Sequence, residues 1–454
     1  MSRPPRPLRK VKLQRAPKKS DMESNPERIE TAWHQRSVLE DLQTLRLTEM
    51  LTSVVPRNRF WSKKFEAAGI DPGSIRTLED LRTLPLTSKQ EIVDNQNEQS
   101  PYGSNLSFPS TRYRRLHQTS GTTGRPIRWM DTQDSWDWFM ECWRQIYTLA
   151  GLQPWDRLFF PFSFGPFIGF WAAFEGALRF GNFCIAGGGM STSVRLQAMI
   201  ENEATVVCCT PTYAMRMAEV AAQEGIDLKE TSVRMLVVAG EPGGAIPATR
   251  ARLEEMWEAR VIDHWGMTEL GSLGVESEDR TGGLYILETE CIAEILNPDT
   301  LEPVAPGEVG ELVVTNLGRH GSPLIRYRTR DLVKASTDPD PAGRSLLWLE
   351  GGILGRSDDM VIVRGNNVFP SSIEAVVREI PEVAEFQIEL TTVRAMQELN
   401  VVIEPVPTEQ DVAALIGRVQ SLLKQRLGFD ISVRGAAPGE LPRFELKSRR
   451  VVRR

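Results

Sequence analysis

Between residues 157 and 262 the chain alternates two hydrophobic rhythms. Short runs at 158–160, 205–209 and 235–238 are apolar throughout or nearly so, rich in β-branched, aromatic or cysteine side chains, and read as buried strands. Between them, 191–203, 211–224 and 246–260 place apolar residues three and four apart and read as helices. Such alternation predicts a parallel sheet covered by helices. After Gly351 and Gly352 the rhythm changes. Residues 360–364 read as a strand. Ser371, Ser372, Ile373 and Glu374 spell a capping box for a helix with Ile373, Val376, Val377 and Ile380 on one face. Strands follow at 385–390 and 399–404. Residues 408–427 then form an amphipathic helix striped by Val412, Leu415, Ile416, Val419, Leu422 and Leu423, with Gly428 placed to end it. A strand at 431–434 completes β-α-β-β-α-β, a ferredoxin-like arrangement.

At 454 residues the chain exceeds what one hydrophobic core organises. The expected fold class is α/β: a large multi-layer N-terminal α/β domain with parallel sheets, and a small ferredoxin-like C-terminal α+β domain. The expected boundaries are a disordered basic tail at 1–20, a large domain at 21–354 and a small mobile domain at 355–454. The tail holds eight Lys or Arg, four Pro and no acid, and lacks the apolar core of a secretory signal. A net charge of −6 gives no reason to expect nucleic acid as a partner. The aromatic run 159–180 is interrupted by Pro161, Pro166 and Glu175, which argues against a membrane span. Five scattered cysteines without a C-x-x-C pair point to reduced thiols and a cytoplasmic setting.

The strongest chemical signal is Thr119-Ser120-Gly121-Thr122-Thr123-Gly124-Arg125-Pro126. Six consecutive Thr, Ser or Gly residues disfavour a helix or central strand. They suit a tight loop whose N–H groups and hydroxyls converge on an anion such as a triphosphate. The spacing is not that of a Walker loop, and a plain polar turn is the alternative. Downstream, Asp263-His264-Trp265-Gly266-Met267-Thr268-Glu269 offers an aromatic face, a hydroxyl and a carboxylate, where a strand end with a core Trp is the plainer reading. Arg326-Tyr327-Arg328-Thr329-Arg330-Asp331 sets three cations around one acid. There the carboxylate suits ribose hydroxyls and the arginines suit phosphates, or the cluster is a solvated charge run. Gly355-Arg356-Ser357-Asp358-Asp359 reads as a hinge or a surface turn. Leu441-Pro442-Arg443-Phe444-Glu445-Leu446-Lys447 puts a lysine near the C-terminus.

In order and content these segments resemble the acyl-adenylate-forming (AMP-binding) superfamily, and most closely its phenylacetate–coenzyme A ligase branch, from about Val55 to Val451. The stretch 355–371, GRSDDMVIVRGNNVFPS, carries the branch likeness. That likeness implies an ATP-dependent ligase: a carboxylate attacks the α-phosphate of Mg·ATP, pyrophosphate leaves, the small domain swings, and coenzyme A thiol attacks the acyl carbon. Matched by position, Thr119, Ser120, Gly121, Thr122, Thr123 and Gly124 would hold the β- and γ-phosphates. Trp265, where the family usually has Tyr, would stack on adenine. Thr268 would contact the α-phosphate and Glu269 would bind Mg²⁺. Asp331 would take the ribose, Arg356 phosphate or ribose, and Asp358 would be the hinge. Lys447 would bridge carboxylate and phosphate. Glu241, in Ala239-Gly240-Glu241-Pro242, matches a segment lining the adenine and acyl sites.

An aryl or arylacetic acid is the expected substrate. Phe162-Ser163-Phe164-Gly165-Pro166-Phe167 matches the segment beside the aryl group, with Phe164 and Phe167 as its walls and Gly187-Gly188-Gly189 leaving space opposite. ATP and coenzyme A are the implied co-substrates. Because Ser277 and Tyr285 occupy the region where some relatives bind zinc, and only Cys291 remains, no zinc is expected. Relatives are often dimers, so a homodimer is one arrangement open to the chain. Arg125 replaces the loop's usual Lys, Leu446 a usual Gly, and Phe444 a small polar residue. Two alternatives keep parts of this reading: adenylation with transfer to an amine or a carrier protein, and a nucleotide-binding relative without turnover.

Overall fold

The computed structural model describes residues 26–119, 126–363, 366–393, 396–444 and 448–453. The 1–20 tail, Ser120 to Gly124 and Lys447 lie outside them. The largest sheet has eight strands, in the order Trp348–Glu350, Arg280–Ile286, Gly271–Ser277, Arg260–Met267, Met235–Ala239, Val206–Cys209, Arg157–Phe160, Phe183–Ala186. The last five are mutually parallel, as the alternating pattern predicts. Val206–Cys209 is buried at every position because helices cover the sheet, so no period-two alternation is visible in its sequence.

The covering helices begin where the sequence supplies caps. Ser191 accepts from the Val194 N–H and Thr210 from the Tyr213 N–H, with Pro211 in the first turn. The helix expected to reach residue 260 stops at Trp257, because Glu258 adopts a left-handed φ of 47°. Gly271–Ser277 and Arg280–Ile286, joined by short turns, extend the sheet antiparallel, and Trp348–Glu350 from much later in the chain adds the antiparallel edge. Beside it lies a four-stranded antiparallel sheet of Cys291–Leu296, Val309–Asn316, Tyr327–Lys334 and Gly355–Arg356.

The C-terminal α+β unit is present, with a strand membership that differs from the expected pattern. Its sheet runs Ser432–Gly435, Met396–Pro405, Val383–Val393, Val451–Arg453. Val361–Val363 does not join it. That strand folds onto Asn366–Val368 instead, a local closure with little loop entropy to overcome. The edge is taken by Val451–Arg453, parallel to Val383–Val393. Ile373, Val377, Leu415, Val419 and Leu423 form the core with Ile388, Val401 and Ile403. The capping box at Ser371 does not form. Pro370 opens the helix, and the Ser371 hydroxyl donates to the Leu354 carbonyl at 3.1 Å. The long helix starts at Val412 rather than 408 because Asp411 caps it, and Gly428 ends it at φ 83°. Among the described residues, no helix is long and apolar enough to cross a membrane.

Candidate active site

The candidate phosphate loop connects two antiparallel strands, Tyr113–Gln118 and Arg128–Thr132. Thr119 closes its base: its N–H donates to the Ile127 carbonyl at 3.0 Å and its hydroxyl accepts from the Ile127 N–H at 3.2 Å. The Gln118 N–H donates to the Pro166 carbonyl at 2.8 Å, which joins the loop's first strand to the candidate acyl segment.

Where the two large sheets meet, four of the expected residues form one hydrogen-bonded chain. Trp265 lies near the end of Arg260–Met267, and its indole N–H donates to Asp331 Oδ2 at 2.9 Å. Asp331 sits directly across from Arg356 in the strand ladder, which brings the guanidinium to 3.3 Å from Oδ1. Arg356 also spans to Asp358 Oδ1 at 2.9 Å. Burial raises the Asp331 carboxyl to about 6, against the lowering influence of Arg356 and of the indole N–H. Gly274 lies beneath the indole. A Cβ there would come within 3.2 Å of Trp265 Cβ, so the glycine is what lets the ring lie flat on the next strand.

Glu269 is tied to the same junction. It is buried, and Oε1 accepts from the Tyr327 hydroxyl at 3.1 Å. Strand alternation turns Tyr327, Thr329 and Asp331 inward together, which explains why the acid and the tyrosine share a face. The backbone on either side of the Thr268–Glu269 peptide is fixed by Arg319, whose NH1 donates to both carbonyls at 2.6 and 2.8 Å. The other edge of that guanidinium forms a fully buried bidentate pair with Asp131 at 2.8 and 2.9 Å. Arg319 and Asp131 are separated by 188 residues, and no local motif marks either one.

Two of the three arginines of the Arg326–Asp331 cluster are taken up by partners within the fold. Arg326 is committed to Glu294 and to the Arg82 and Leu84 carbonyls, and Arg328 to Glu311. Their positive charge is spent within the fold. Phe164 stands inside an aromatic cluster, 4.7 Å from Trp171 and 5.3 Å from Phe174, centroid to centroid. Phe167 is exposed. A Cβ on Gly187 would lie 2.9 Å from the Phe159 ring and 3.1 Å from Pro161 Cα, so this glycine permits a close approach that already fills the space beside it. A charged groove of about 490 Å³ lies elsewhere, between Arg36, Asp41, Glu79 and Glu294. It shares no residue with these motifs.

Glu241 links distant segments. Oε1 accepts from the Thr212 N–H at 2.9 Å, at the start of the helix Pro211–Gln223, and Oε2 from the Ser448 N–H at 2.6 Å. Thr212 and Arg450, which no sequence motif marks, join here: Arg450 donates to the Thr212 hydroxyl at 3.2 Å.

Comparison with known proteins gives the family and the overall fold. The AMP-binding enzyme family matches residues 115–318, and the AMP-binding enzyme C-terminal domain matches 365–454. A phenylacetate-coenzyme A ligase of Thermus thermophilus is 31% identical over 438 residues, covering 92% of this chain and 97% of that one. Among solved structures, a 2-hydroxyisobutyryl-CoA ligase in its postadenylation state with 2-HIB-AMP superposes with a TM-score of 0.87 at 27% identity, over 91% of this chain and 89% of that chain. The same ligase with 2-HIB-AMP and CoA, in its thioesterification state, gives 0.70 at 27% identity, over 93% and 91%.

Proposed function

The chain belongs to the AMP-binding enzyme family, in its phenylacetate–coenzyme A ligase branch, and from that premise we propose that it activates an aryl or arylacetic acid with ATP and passes the acyl group to coenzyme A. A carboxylate oxygen attacks the α-phosphorus, the bond to the β-phosphate breaks, and pyrophosphate leaves. The coenzyme A sulfur then attacks the acyl carbon, the bond to AMP breaks, and the thiol proton passes to solvent. The observation that carries the reading is the junction of Trp265, Asp331 and Arg356 on adjoining strands of two sheets, with Glu269 in the turn that follows Met267.

Each residue has a physical task. The Trp265 indole offers a flat apolar face to adenine, while Asp331 accepts from ribose hydroxyls once Arg356 turns toward ribose or phosphate. Thr119, Ser120, Gly121, Thr122, Thr123 and Gly124 hold the terminal phosphates, and the Thr268 hydroxyl contacts the α-phosphate. Glu269 fits Mg²⁺: one hard carboxylate is enough when phosphate oxygens complete the shell, and no group of three or more acidic, His or Cys ligands occurs among the described residues. Bound there, Mg²⁺ would neutralise charge on the phosphate oxygens. Lys447, on a mobile 355–454 domain hinged at Asp358, supplies a cation between carboxylate and phosphate in the first step only. Phe164 and Phe167 border the aryl group, and Gly187 lets the Phe159 ring and Pro161 pack close behind it rather than leaving open space. A cytoplasmic setting with reduced thiols accompanies this reading.

Pyrophosphate release across a panel of aryl and arylacetic acids tests the proposal, followed by thioester formation with free coenzyme A. Release without thioester would move the acceptor to an amine or carrier protein. No release with any acid would leave a nucleotide-binding relative without turnover.

A further inference from the structure

We propose that Glu241 is a latch that holds the Lys447-bearing segment for adenylation and must let go before thioester formation. The inference rests on the two-step reading above. The carboxylate has one oxygen on each side of a junction: Oε1 on the Thr212 N–H and Oε2 on the Ser448 N–H. Ser448 follows Lys447 in the sequence, so Glu241 holds the chain at the residue after the lysine. A charged acceptor on two N–H donors is a strong local restraint, and it can be undone without covalent change.

The helix Pro211–Gln223 is the dock for the rest of the segment. Thr212 and Glu219 are seven residues apart and therefore on one face, two turns along. Arg450 donates to the Thr212 hydroxyl at 3.2 Å and Arg443 to Glu219 at 3.4 Å. The opposite sides of those arginines are held by the C-terminal unit itself, Arg450 by Glu374 and Glu385 and Arg443 by Glu404. Both arginines would therefore keep these partners when the unit moves. Among the described residues, the contacts to Thr212, Glu219 and Glu241 must break, and with them the bond from Arg252 to the Val383 carbonyl at 3.1 Å. The higher superposition with the relative's postadenylation state than with its thioesterification state, 0.87 against 0.70, supports this arrangement as the one used before the thiol attacks.

The test separates the half-reactions in Glu241→Ala, Glu241→Gln and Thr212→Val. Wild type is run first, because the absence of both half-reactions there would defeat the functional reading rather than the latch. Single-turnover adenylation should fall roughly 10-fold in Glu241→Ala, the scale of one lost charged hydrogen bond. Glu241→Gln, which keeps one acceptor oxygen, should fall less. Thr212→Val removes the Arg450 contact without touching Glu241 and should show the same sign. Thioester formation from presynthesised acyl-adenylate should stay at or above the wild-type rate in Thr212→Val, which lies outside the segment matched to the adenine and acyl sites, and in the Glu241 variants it should fall less than adenylation. A parallel loss of both half-reactions would overturn the latch in favour of a structural or nucleotide-binding role for Glu241. Unchanged adenylation would overturn it as well. Should Glu241→Ala fail to fold, the other two variants carry the same decision.

Discussion

Asp331 sits at the boundary between charged and neutral. Burial lifts its carboxyl to about 6, and only the ionised form accepts from both ribose hydroxyls. The sign follows directly: above that value the acceptor is complete, and as pH falls through it the carboxyl protonates and ATP binding weakens. KM for ATP should climb as pH drops below about 6, and Asp331→Asn should raise KM while abolishing that dependence. A wild-type KM flat from pH 5 to 7 would remove Asp331 from the ribose site. Glu269→Gln should eliminate adenylation with the melting temperature preserved, since the amide still accepts from Tyr327 but is a poor ligand for a hard cation. Titration of Mn²⁺ in the presence of ATP, followed by electron paramagnetic resonance, should show weaker metal binding in that variant. The roles proposed for Trp265, Glu269 and Asp331 rest on short contiguous motifs, which is why the amino-acid sequence alone marks these three. Arg319 and Asp131 carry no such mark, because their partnership exists only across the folded interior.

At the scale of elements, the helices Gln133–Leu149 and Trp171–Phe180 pack so closely that Gly176 has no room for a side chain. A Cβ there would stand 2.6 Å from Trp143 Cβ. Trp143 in turn lies 4.7 Å from the His264 ring, one residue before Trp265. Gly176→Val should cost roughly 1–3 kcal/mol of stability through overpacking and shift the indole of Trp265 by relay. Thermal unfolding checks the first and ATP affinity the second; an unchanged melting temperature would mean the helices separate freely. Parallel strands and their helices are legible because each follows one period over many residues. The differences fall where that rule is silent. Gly271–Ser277 is buried on both faces and shows no alternation, and nothing in the sequence of Val361–Val363 tells pairing with Asn366–Val368 from joining the C-terminal sheet. The Ser371 capping box loses to Pro370, whose fixed φ starts the helix earlier.

For the whole molecule, the account requires one catalytic lysine to serve only half the reaction. Lys447→Ala should slow acyl-adenylate formation by roughly 10²–10³, as expected for removing a preorganised charge donor. Supplied with acyl-adenylate, the variant should still form thioester near the wild-type rate. Equal losses would make the lysine structural. The change of hydrophobic rhythm after Gly352 is what sets the expected boundary at residue 355, and Gly355–Arg356 itself pairs with Tyr327–Lys334. The contacts of Arg443 with Glu219, Ser448 with Glu241 and Arg450 with Thr212 have no such local sign, because each joins residues more than two hundred apart. The central claim is two-step, AMP-forming transfer to coenzyme A, and single-turnover product analysis with an accepted aryl acid tests it most directly. Without coenzyme A, pyrophosphate and acyl-adenylate should appear in equal amounts. Adding coenzyme A should then convert the adenylate to acyl-CoA and AMP, one for one. Formation of ADP, or an acyl-adenylate that coenzyme A leaves untouched, would contradict the account.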